Sequence, residues 1–560
     1  MNLPANSRNG GQILVDALRI NGVERAFCVP GESYLAVLDA LYDAKDEIDL
    51  IVCRQEGGAA YMAEAYGKLT GKPGICFVTR GPGATNASVG VHTAFQDSTP
   101  MILFIGQVAR DQMEREAFQE IDFRRMFGAL AKWVVQIDDP RRIPELVSQA
   151  FHRAMNGRPG PVVVALPEDM LTDIVEVADA GPARVMEPHA APSEMRALQH
   201  LLHQAERPLM IVGGGGWNAR AVEDIRHFAE RHNLPVAASF RCQDLFDNTH
   251  PNYVGDLGFA AGPKLTQAVK DSDLLVVVGS RLGEVSTSGY TTLDIPTPKQ
   301  ALVHVHPGIE ELGRVYQPTL GINSSMVSFA ALAAELPEID SNRHANWTEA
   351  LNRNYRENLD FEPSPGPVQM AEIISWLSEK LPADAILTNG AGNYCVWVQR
   401  FYQYREFRTQ LGPTNGSMGY GVPAGVAAKL TYPERTVVSF AGDGCFLMNG
   451  QEIATAASYG AKVIFIVVNN GMYGTIRMHQ ERTYPGRISG TDLHNPDFAA
   501  LARAFGLHGE TVECTADFAP AFERCLGADK PSLIEVRIDP EAITPRMSLS
   551  QIRLEAQSRR

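Results

Sequence analysis

Two polar turns that follow apolar strands in the last third of the chain constrain its fold most strongly. An apolar run at residues 436–440 leads into a Gly-Asp-Gly turn centred on Asp443, and a second run at residues 462–468 leads into an Asn-Asn pair ending at Asn470. The 24 residues between the turns leave space for a helix, which we predict from about Gln451. Strand, helix and strand then form one parallel unit. We therefore expect Asp443 and Asn470 to lie side by side at one sheet edge.

A carboxylate and an amide oxygen at neighbouring strand ends suit Mg²⁺, which prefers oxygen ligands and readily shares phosphate oxygens. The glycines beside Asp443 allow the backbone to approach a diphosphate, and a helix start offers N–H groups to it. The alternative is a tight turn with a solvated aspartate. The spacing to Asn470, with a strand before each turn, favours a metal and diphosphate site.

The same alternation of short apolar runs with helical patterns fills the rest of the chain. Stretches rich in Ala and Pro at residues 178–193 and 337–367 are predicted linkers. They separate an N-terminal domain at residues 1–180, a central domain at 193–338 and a C-terminal domain at 366–550. Because the runs are almost continuously apolar, we predict an α/β fold with three doubly wound parallel-sheet domains. The predicted strands lie at residues 26–29, 48–53, 74–79, 101–105, 208–213, 235–238, 274–279, 301–305, 385–388, 436–440, 462–468 and 532–537.

Composition excludes several classes of protein. The chain has 560 residues, 45% of them hydrophobic, and a formal net charge of −15, which argues against a nucleic-acid partner. No apolar run approaches the ~20 residues of a membrane span, and the polar residues 1–11 lack the apolar segment of a secretory signal. Eight scattered cysteines without CxxC spacing favour reduced thiols, so we expect a cytoplasmic protein.

The Gly-Asp-Gly turn, 24 residues and the Asn-Asn pair together resemble the signature of thiamine-diphosphate-dependent enzymes. The resemblance implies pyrimidine-binding, central and diphosphate-binding domains, in that order. It implies that Mg²⁺ is held by Asp443, Asn470 and the main-chain carbonyl of Met472, and that Met418 bends the cofactor. The residues implied in cofactor binding are Pro30, Asn86, Gly392, Asn393, Gly416, Ser417, Met418, Gly442, Asp443, Gly444, Cys445, Asn470, Met472, Tyr473 and Gly474.

An acidic residue at the start of a predicted helix is the candidate activator of that cofactor. Glu56 follows an apolar strand and precedes the small residues of a helix predicted at 58–69. Taken alone, Glu56 reads more simply as a helix cap. The segment EGGAAYMAEAYGKLTGKPG, however, resembles the glutamate motif of the family, in which this carboxyl contacts the aminopyrimidine ring. The resemblance further implies that Glu56 and the metal site come from different subunits, so that a homodimer is the smallest active unit and a homotetramer is common.

The segments GPGATN at residues 81–86 and EAFQEID at 116–122 are similar to those of the acetolactate synthase branch. This similarity implies a carboligase that decarboxylates a 2-oxoacid such as pyruvate and transfers the acyl group to a second carbonyl compound. It implies that Phe118, Gln119 and Lys132 line the substrate channel. Whether a regulatory subunit binds is left open by the sequence.

Two departures from that branch keep an alternative open. Glu32 replaces a glycine, and decarboxylases of the wider family place an acid there as a proton relay. His479 occupies the place of a tryptophan that selects the acceptor in biosynthetic synthases, so it is either a substrate contact or a surface residue. The alternative function is therefore a 2-oxoacid decarboxylase, or a lyase similar to benzaldehyde lyase, acting on a bulkier substrate.

The central domain raises the question of a flavin. Four glycines at residues 213–216 follow one strand and Arg281 follows another, as in relatives that bind FAD. His306, however, stands where an acidic residue is usual, and glycines after a strand are also ordinary turn residues. The sequence leaves FAD open as a structural cofactor.

Overall fold

The computed structural model describes residues 7–340 and 342–559. It contains three six-stranded parallel sheets interleaved with helices, which confirms the predicted α/β fold with three doubly wound sheets. The chain divides into two compact units, Met1–Met186 with Val426–Thr431, and Glu187–Gly425 with Tyr432–Arg560. Most of the polar segment on which the signal-peptide prediction depends, residues 1–6, lies outside the described residues. The three domain limits drawn from the linkers stay a prediction.

The first sheet has the strand order β3-β2-β4-β5-β7-β6, and three of its four central strands, β4, β5 and β7, are completely buried. A two-stranded antiparallel ribbon, β1 with β8, lies beside it. The strands are β1 Arg8–Asn9, β2 Arg25–Cys28, β3 Asp49–Val52, β4 Gly74–Val78, β5 Met101–Gln107, β6 Trp133–Gln136, β7 Pro161–Pro167 and β8 Ile174–Val175. The helices are α1 Gly10–Ile20, α2 Leu35–Asp43, α3 Glu56–Thr70, α4 Gly81–Asp97, α5 Phe123–Phe127 and α6 Ile143–Met155.

The second sheet has the order β11-β10-β9-β12-β13-β14, the arrangement of dinucleotide-binding folds. Its strands are β9 Pro208–Val212, β10 Val236–Ser239, β11 Tyr253–Leu257, β12 Leu274–Val278, β13 Ala301–His306 and β14 Leu320–Asn323. The accompanying helices are α7 Pro192–Gln204, α8 Ala219–Arg231, α9 Pro263–Asp271, α10 Met326–Ala334 and α11 Asn342–Glu357.

The third sheet has the order β16-β15-β17-β18-β20-β19, which repeats the topology of the first. Its strands are β15 Ile386–Asn389, β16 Gln410–Leu411, β17 Val437–Gly442, β18 Ile464–Asn469, β19 His508–Val512 and β20 Ser532–Arg537. The helices are α12 Met370–Lys380, α13 Tyr394–Phe401, α14 Gly421–Thr431, α15 Asp443–Asn449, α16 Ile453–Ser458, α17 Gly474–Thr483, α18 Phe498–Ala504, α19 Thr515–Gly527 and α20 Leu549–Ser558.

The helix predicted from about Gln451 is present, as a 3-10 turn at Gly450–Glu452 that continues into α16. The prediction missed a further helix before it, because α15 begins at Asp443 itself, with Gly442 as its extended N-cap. The glycines around Asp443 thus form the junction between strand and helix directly, without an intervening loop. Asp443 therefore lies in a first helical turn, where main-chain N–H groups are nearby.

Each sheet has a point at which its strand order changes direction, and ligands bind beside such points in open α/β sheets. In the third sheet this point lies between β15 and β17, and in the first between β2 and β4. The turns that carry Pro30, Gly392 and Asp443 follow these strands, and the turn of Asn470 follows the neighbouring strand β18. The fold therefore brings the predicted sites to the positions where the topology opens a crevice. Among the helices of the described part of the chain, none is both long and apolar enough to cross a membrane.

Candidate active site

A pocket of about 240 Å³ opens at the carboxyl edge of the third sheet. It is lined by residues from the ends of β15, β17 and β18, from the starts of the helices that follow them, and from the C-terminal segment. Of the predicted cofactor residues in this part of the chain, all but Ser417 line it. They are Gly392, Asn393, Gly416, Met418, Gly442, Asp443, Gly444, Cys445, Asn470, Met472, Tyr473 and Gly474.

The Asp443 carboxylate is buried at the base of this pocket. Its Oδ2 atom accepts hydrogen bonds from the main-chain N–H of Gly471, at 2.9 Å, and from the side chain of Asn495, at 2.8 Å. Its Oδ1 atom accepts from the N–H of Gly444 at 2.9 Å. Burial raises the pKa of Asp443, and these hydrogen bonds oppose the rise. The network fixes the carboxylate in a single orientation.

Asn470 and the segment after it complete the group of oxygen atoms. The Asn470 Oδ1 atom accepts a hydrogen bond from the N–H of Met472 at 3.2 Å, which shapes a tight turn beside Asp443. Asn469 has a different role, because its side chain contacts Glu535 and Asn495, behind the pocket. Only the second asparagine of the pair therefore lines the pocket.

Asn495 is a residue that the sequence analysis missed. Its Nδ2 atom donates to Asp443, at 2.8 Å, and to the Oδ1 atom of Asn469, at 3.0 Å, and so joins the two turns. It lies 25 residues beyond Asn470 in the chain, in a segment without a regular element. An asparagine in such a loop carries no local signal that would have identified it.

The donor set of the pocket fits Mg²⁺ with a diphosphate. One carboxylate, one amide and a main-chain carbonyl are hard oxygen donors, and the described part of the chain holds no cluster of three His, Cys, Asp or Glu side chains that would suit a softer metal. Helices α13 and α17 both begin at the pocket without a side-chain cap, so their N-termini favour an anion. Gly416, with a φ of +68°, has no atom within 4 Å of the position of a Cβ and leaves room for a ligand.

The remaining predicted contacts form the wall of the pocket. Met418 is partly buried against the core of the third sheet and lines the pocket. Tyr473 also lines the pocket. The thiol of Cys445 accepts a hydrogen bond from the N–H of Gly419 at 3.2 Å and so holds the loop that carries Met418. Ser417 lies next to the pocket, with its N–H donating to the side chain of Asn415.

The C-terminal segment also contributes to the pocket, which the sequence left undecided. Ile543 lines it, and its carbonyl accepts a hydrogen bond from Asn393 at 3.0 Å. Helix α20 is held on α17 by Arg553, which donates to both carboxylate oxygens of the buried Glu481, at 2.7 and 2.9 Å. This bidentate pair lowers the pKa of Glu481 to about 2.

We expect the substitution Arg553→Met to release α20, because it removes the bidentate partner of a buried carboxylate. Amide hydrogen exchange over residues 549–558 should become at least tenfold faster, which corresponds to about 1.4 kcal/mol of local opening free energy. Arg559→Met is the matched control, because Arg559 is exposed and, among the residues described, its side chain pairs with Glu555 alone, at the end of the same helix. Equal exchange in the two variants would contradict the role of the Glu481 pair.

In the first unit, Glu56 is the first residue of α3, at the carboxyl edge of the first sheet. Its Oε2 atom accepts a hydrogen bond from Asn86 at 2.9 Å, and both residues belong to the predicted cofactor site. Gln55 caps the helix by accepting from the N–H of Gly58, at 3.1 Å. The capping role that offered a simpler explanation of Glu56 is thus performed by the residue before it.

Glu32 and Gln119 lie at the same carboxyl edge. The Glu32 side chain is 65% exposed and pairs with Arg80 at 3.3 Å, while Arg80 also contacts Glu168. The main-chain carbonyl of Gln119 accepts a hydrogen bond from the N–H of Gly81 at 2.9 Å. Two more predicted residues of this region, Pro30 and Phe118, are exposed.

Two predicted substrate contacts are not brought to these sites. Lys132 precedes β6, which is parallel to β7, so it lies at the amino edge of the first sheet, opposite Glu56. Its ammonium group donates to the carbonyl of Asn156 at 2.7 Å. His479 is exposed on α17 and does not line the Asp443 pocket. The first unit therefore does not place Lys132 beside Gln119, because the direction of β6 puts it at the other end of the sheet.

The first two glycines of the run at residues 213–216 are explained by contacts within the chain. A Cβ atom on Gly214 would overlap the carbonyl oxygen of Gly279, and one on Gly279 would overlap that of Gly213. The indole of Trp217 donates to the carbonyl of Gly213 at 2.9 Å and closes this turn. The glycines thus allow the ends of β9 and β12 to pack together, and they do not by themselves indicate a flavin.

Comparison with known proteins places the chain among relatives along nearly its whole length. Models of the thiamine pyrophosphate enzyme N-terminal, central and C-terminal domains match residues 8–126, 195–332 and 390–536. The acetolactate synthase large subunit of Parasynechococcus marenigrum is 34% identical, over 95% of this chain and 87% of its own length. The acetolactate synthase isozyme 2 large subunit of Escherichia coli is 32% identical, over 95% and 96%. The chain therefore belongs to the acetolactate synthase family of thiamine pyrophosphate enzymes.

Proposed function

We propose that this enzyme decarboxylates one 2-oxoacid and joins the remaining acyl group to a second carbonyl compound. With pyruvate in both roles, the C1–C2 bond of one molecule breaks, CO₂ leaves, and a new bond forms to C2 of the other, giving 2-acetolactate. The observation that carries the proposal is the pocket in which Asp443, Asn470 and the N-terminus of α17 meet. The similarity of the chain to acetolactate synthases, over 95% of its length, supports this reaction over the lyase alternative.

The proposed cofactors are thiamine diphosphate and Mg²⁺. When bound, thiamine diphosphate supplies the carbon nucleophile and the electron sink that 2-oxoacid decarboxylation requires. We propose that Asp443, Asn470 and the Met472 carbonyl hold the metal. The N-termini of α13 and α17 would hold the diphosphate, and Met418 would support the ring system.

Glu56 is the proposed acid beside the aminopyrimidine ring, and Asn86 holds its carboxyl in place. A proton shared between Glu56 and a ring nitrogen would favour the tautomer in which the exocyclic nitrogen acts as a base. Phe118 and Gln119 are proposed to contact the acceptor. On the resemblance to thiamine-diphosphate enzymes, in which the carboxyl of the glutamate motif and the metal site come from different subunits, we propose an active site shared between two copies of the chain, in a homodimer or homotetramer.

The test is an assay of pyruvate consumption by the purified enzyme with Mg²⁺ and thiamine diphosphate. We expect acetoin to appear only after acid treatment, because acid decarboxylates acetolactate to acetoin. The same assay with and without added FAD tests the flavin that the sequence leaves open. Release of acetaldehyde in place of acetolactate would instead favour a decarboxylase. The cytoplasmic location expected from the sequence stays a prediction.

Replacing Glu32 with glutamine separates the two candidate reactions. We expect acetolactate formation to change by less than about threefold, because Glu32 is exposed and its ion pair with Arg80 contributes little free energy to the fold. The measurement is the ratio of acetolactate to acetaldehyde in the wild-type and variant enzymes. A loss of more than about tenfold in aldehyde release, with acetolactate unchanged, would assign Glu32 a proton-relay role.

A further inference from the structure

The loop that carries Phe118 and Gln119 has a strained backbone. It comprises residues 113–122, between β5 and α5, and is called the acceptor loop below. Within six positions of it, three residues that are not glycine have a positive φ: Glu114 at +60°, Glu116 at +55° and Gln119 at +66°. Side chains rarely adopt this left-handed region, and such strain persists only where surrounding contacts hold the backbone. A specific set of contacts is therefore needed to hold this loop.

The side chain of Glu120 supplies contacts of this kind. Its Oε1 atom accepts a hydrogen bond from the main-chain N–H of Glu114, at 2.6 Å, and its Oε2 atom accepts from the N–H of Ala117, at 2.9 Å. Main-chain N–H groups in such a turn form a concave site for an anion, and here the anion belongs to the same chain. These hydrogen bonds lower the pKa of Glu120. The ionised carboxylate thus closes the strained part of the loop on itself.

A second anchor joins the acceptor loop to the surroundings of Glu56. The carbonyl of Gln119 accepts a hydrogen bond from the N–H of Gly81, the first residue of α4, at 2.9 Å. A Cβ atom on Gly81 would lie only 2.9 Å from that carbonyl oxygen, so the glycine permits this approach. Two residues further along α4, the Cβ position of Gly83 lies 3.4 Å from Oε1 of Glu56. The acceptor loop and Glu56 therefore both contact the first turn of α4.

Gln107 holds the far end of the acceptor loop. This residue is buried, its Nε2 atom donates to the carbonyl of Ile121 at 2.9 Å, and its Oε1 atom accepts from the N–H of Val108 at 2.9 Å. Between the anchors, the Phe118 side chain is 73% exposed. A contact surface on a backbone that is already ordered costs less conformational entropy when a ligand binds.

We propose that Glu120 is a positioning residue for the acceptor substrate. Through the main chain of the acceptor loop, it holds Phe118 and Gln119 in the geometry that binds the second carbonyl compound. This inference rests on the proposed function and deepens it, because it assigns control of the product to a residue that acts through the loop.

The proposal has a consequence for the products formed from pyruvate. Two pyruvate anions and one proton give the 2-acetolactate anion and CO₂. When no acceptor is held, one pyruvate anion and one proton give acetaldehyde and CO₂. Loss of the Glu120 hydrogen bonds should therefore shift the product from acetolactate to acetaldehyde and leave CO₂ release in place.

The test is the substitution Glu120→Ala in the full-length enzyme, assayed with pyruvate, Mg²⁺ and thiamine diphosphate. We expect the pyruvate concentration for half-maximal acetolactate formation to rise about fivefold or more, while kcat for CO₂ release changes by less than about twofold. The ratio of acetolactate to acetaldehyde should fall by about fivefold or more, because the acceptor contacts are no longer held in place. Amide hydrogen exchange at Glu114 and Ala117 should become about tenfold faster.

Two further variants make the result specific. Glu120→Gln retains one oxygen that can accept from the loop, but it places an amide donor against the other N–H group, so its product ratio should be intermediate. Asp111→Asn makes the equivalent change at an exposed residue just before the loop, and it should behave as the wild type does.

Three results would overturn the inference. The first is a folded Glu120→Ala enzyme with the product ratio of the wild type. The second is unchanged exchange at Glu114 and Ala117, because the carboxylate would then not hold the loop. The third is an equal loss of CO₂ release and acetolactate, which would indicate general damage to the site. A wild-type enzyme that forms no acetolactate would instead contradict the proposed function, so the two failures are distinguishable.

Discussion

The substitution Glu56→Gln is expected to lower kcat at least 100-fold, which corresponds to about 2.7 kcal/mol of transition-state stabilisation. Glutamine retains the size of the side chain and the hydrogen bond with Asn86, but it has no ionisable proton to share with the aminopyrimidine ring. The dissociation constant of thiamine diphosphate should rise less than about tenfold, because the proposed metal and diphosphate contacts lie in the other unit. The measurement is steady-state kinetics, combined with a cofactor titration.

Two further variants make this expectation specific. Glu24→Gln alters an exposed carboxylate of the first unit that pairs with Lys72, and it should leave kcat unchanged. Asn86→Ala removes the hydrogen bond that orients Glu56, so we expect a smaller loss, of about tenfold, with the pH profile of kcat shifted relative to the wild type. A Glu56→Gln enzyme with normal kcat would show that Glu56 is a helix-start residue without a role in the reaction.

The parts of the fold that were predicted from the sequence depend on buried, continuously apolar strands. Of the six strands in the parallel sheets that were missed, five are edge strands: β6, β11, β14, β16 and β19. Strands β6, β14 and β19 are partly exposed and β16 has two residues, so these four do not form the apolar runs that indicate a central strand. Strand β11 and the sixth missed strand, β7, were missed although they are fully buried. The topology still followed, because the central strands and the helices between them determine a doubly wound sheet.

The residues of the candidate site fall into two groups: those that the local sequence predicts, and those that loops bring in from distant parts of the chain. Asp443 and Asn470 come together because parallel neighbouring strands end at one edge, and that geometry follows from two turns and their spacing. Asn495 and Ile543 reach the same pocket from irregular segments, through a side-chain amide and a main-chain carbonyl. Contacts of this kind depend on the path of loops in three dimensions. No periodicity in the sequence predicts such contacts.

The substitution Asp443→Asn is expected to abolish Mg²⁺-dependent binding of thiamine diphosphate, with at least a 100-fold rise in the dissociation constant. It removes the one carboxylate of the donor set, and its new amide group would face the donors of Gly471 and Asn495. The fold should survive, because the change preserves the side-chain volume, and circular dichroism and thermal unfolding would verify this. Equilibrium dialysis with the cofactor at several Mg²⁺ concentrations measures the effect.

Neighbouring residues provide a graded comparison for this result. Asp492→Asn changes an exposed side chain in a residue whose backbone pairs with that of Met472. The Asp492→Asn enzyme should bind the cofactor as the wild type does. Asn495→Ala leaves the Asp443 carboxylate in place but removes one of its donors, so we expect an intermediate loss, of about tenfold. If folded Asp443→Asn bound the cofactor with unchanged affinity and unchanged Mg²⁺ dependence, the metal would have to lie elsewhere. The order Asp492→Asn, Asn495→Ala, Asp443→Asn in increasing loss would instead tie binding to the carboxylate and to the network that orients it.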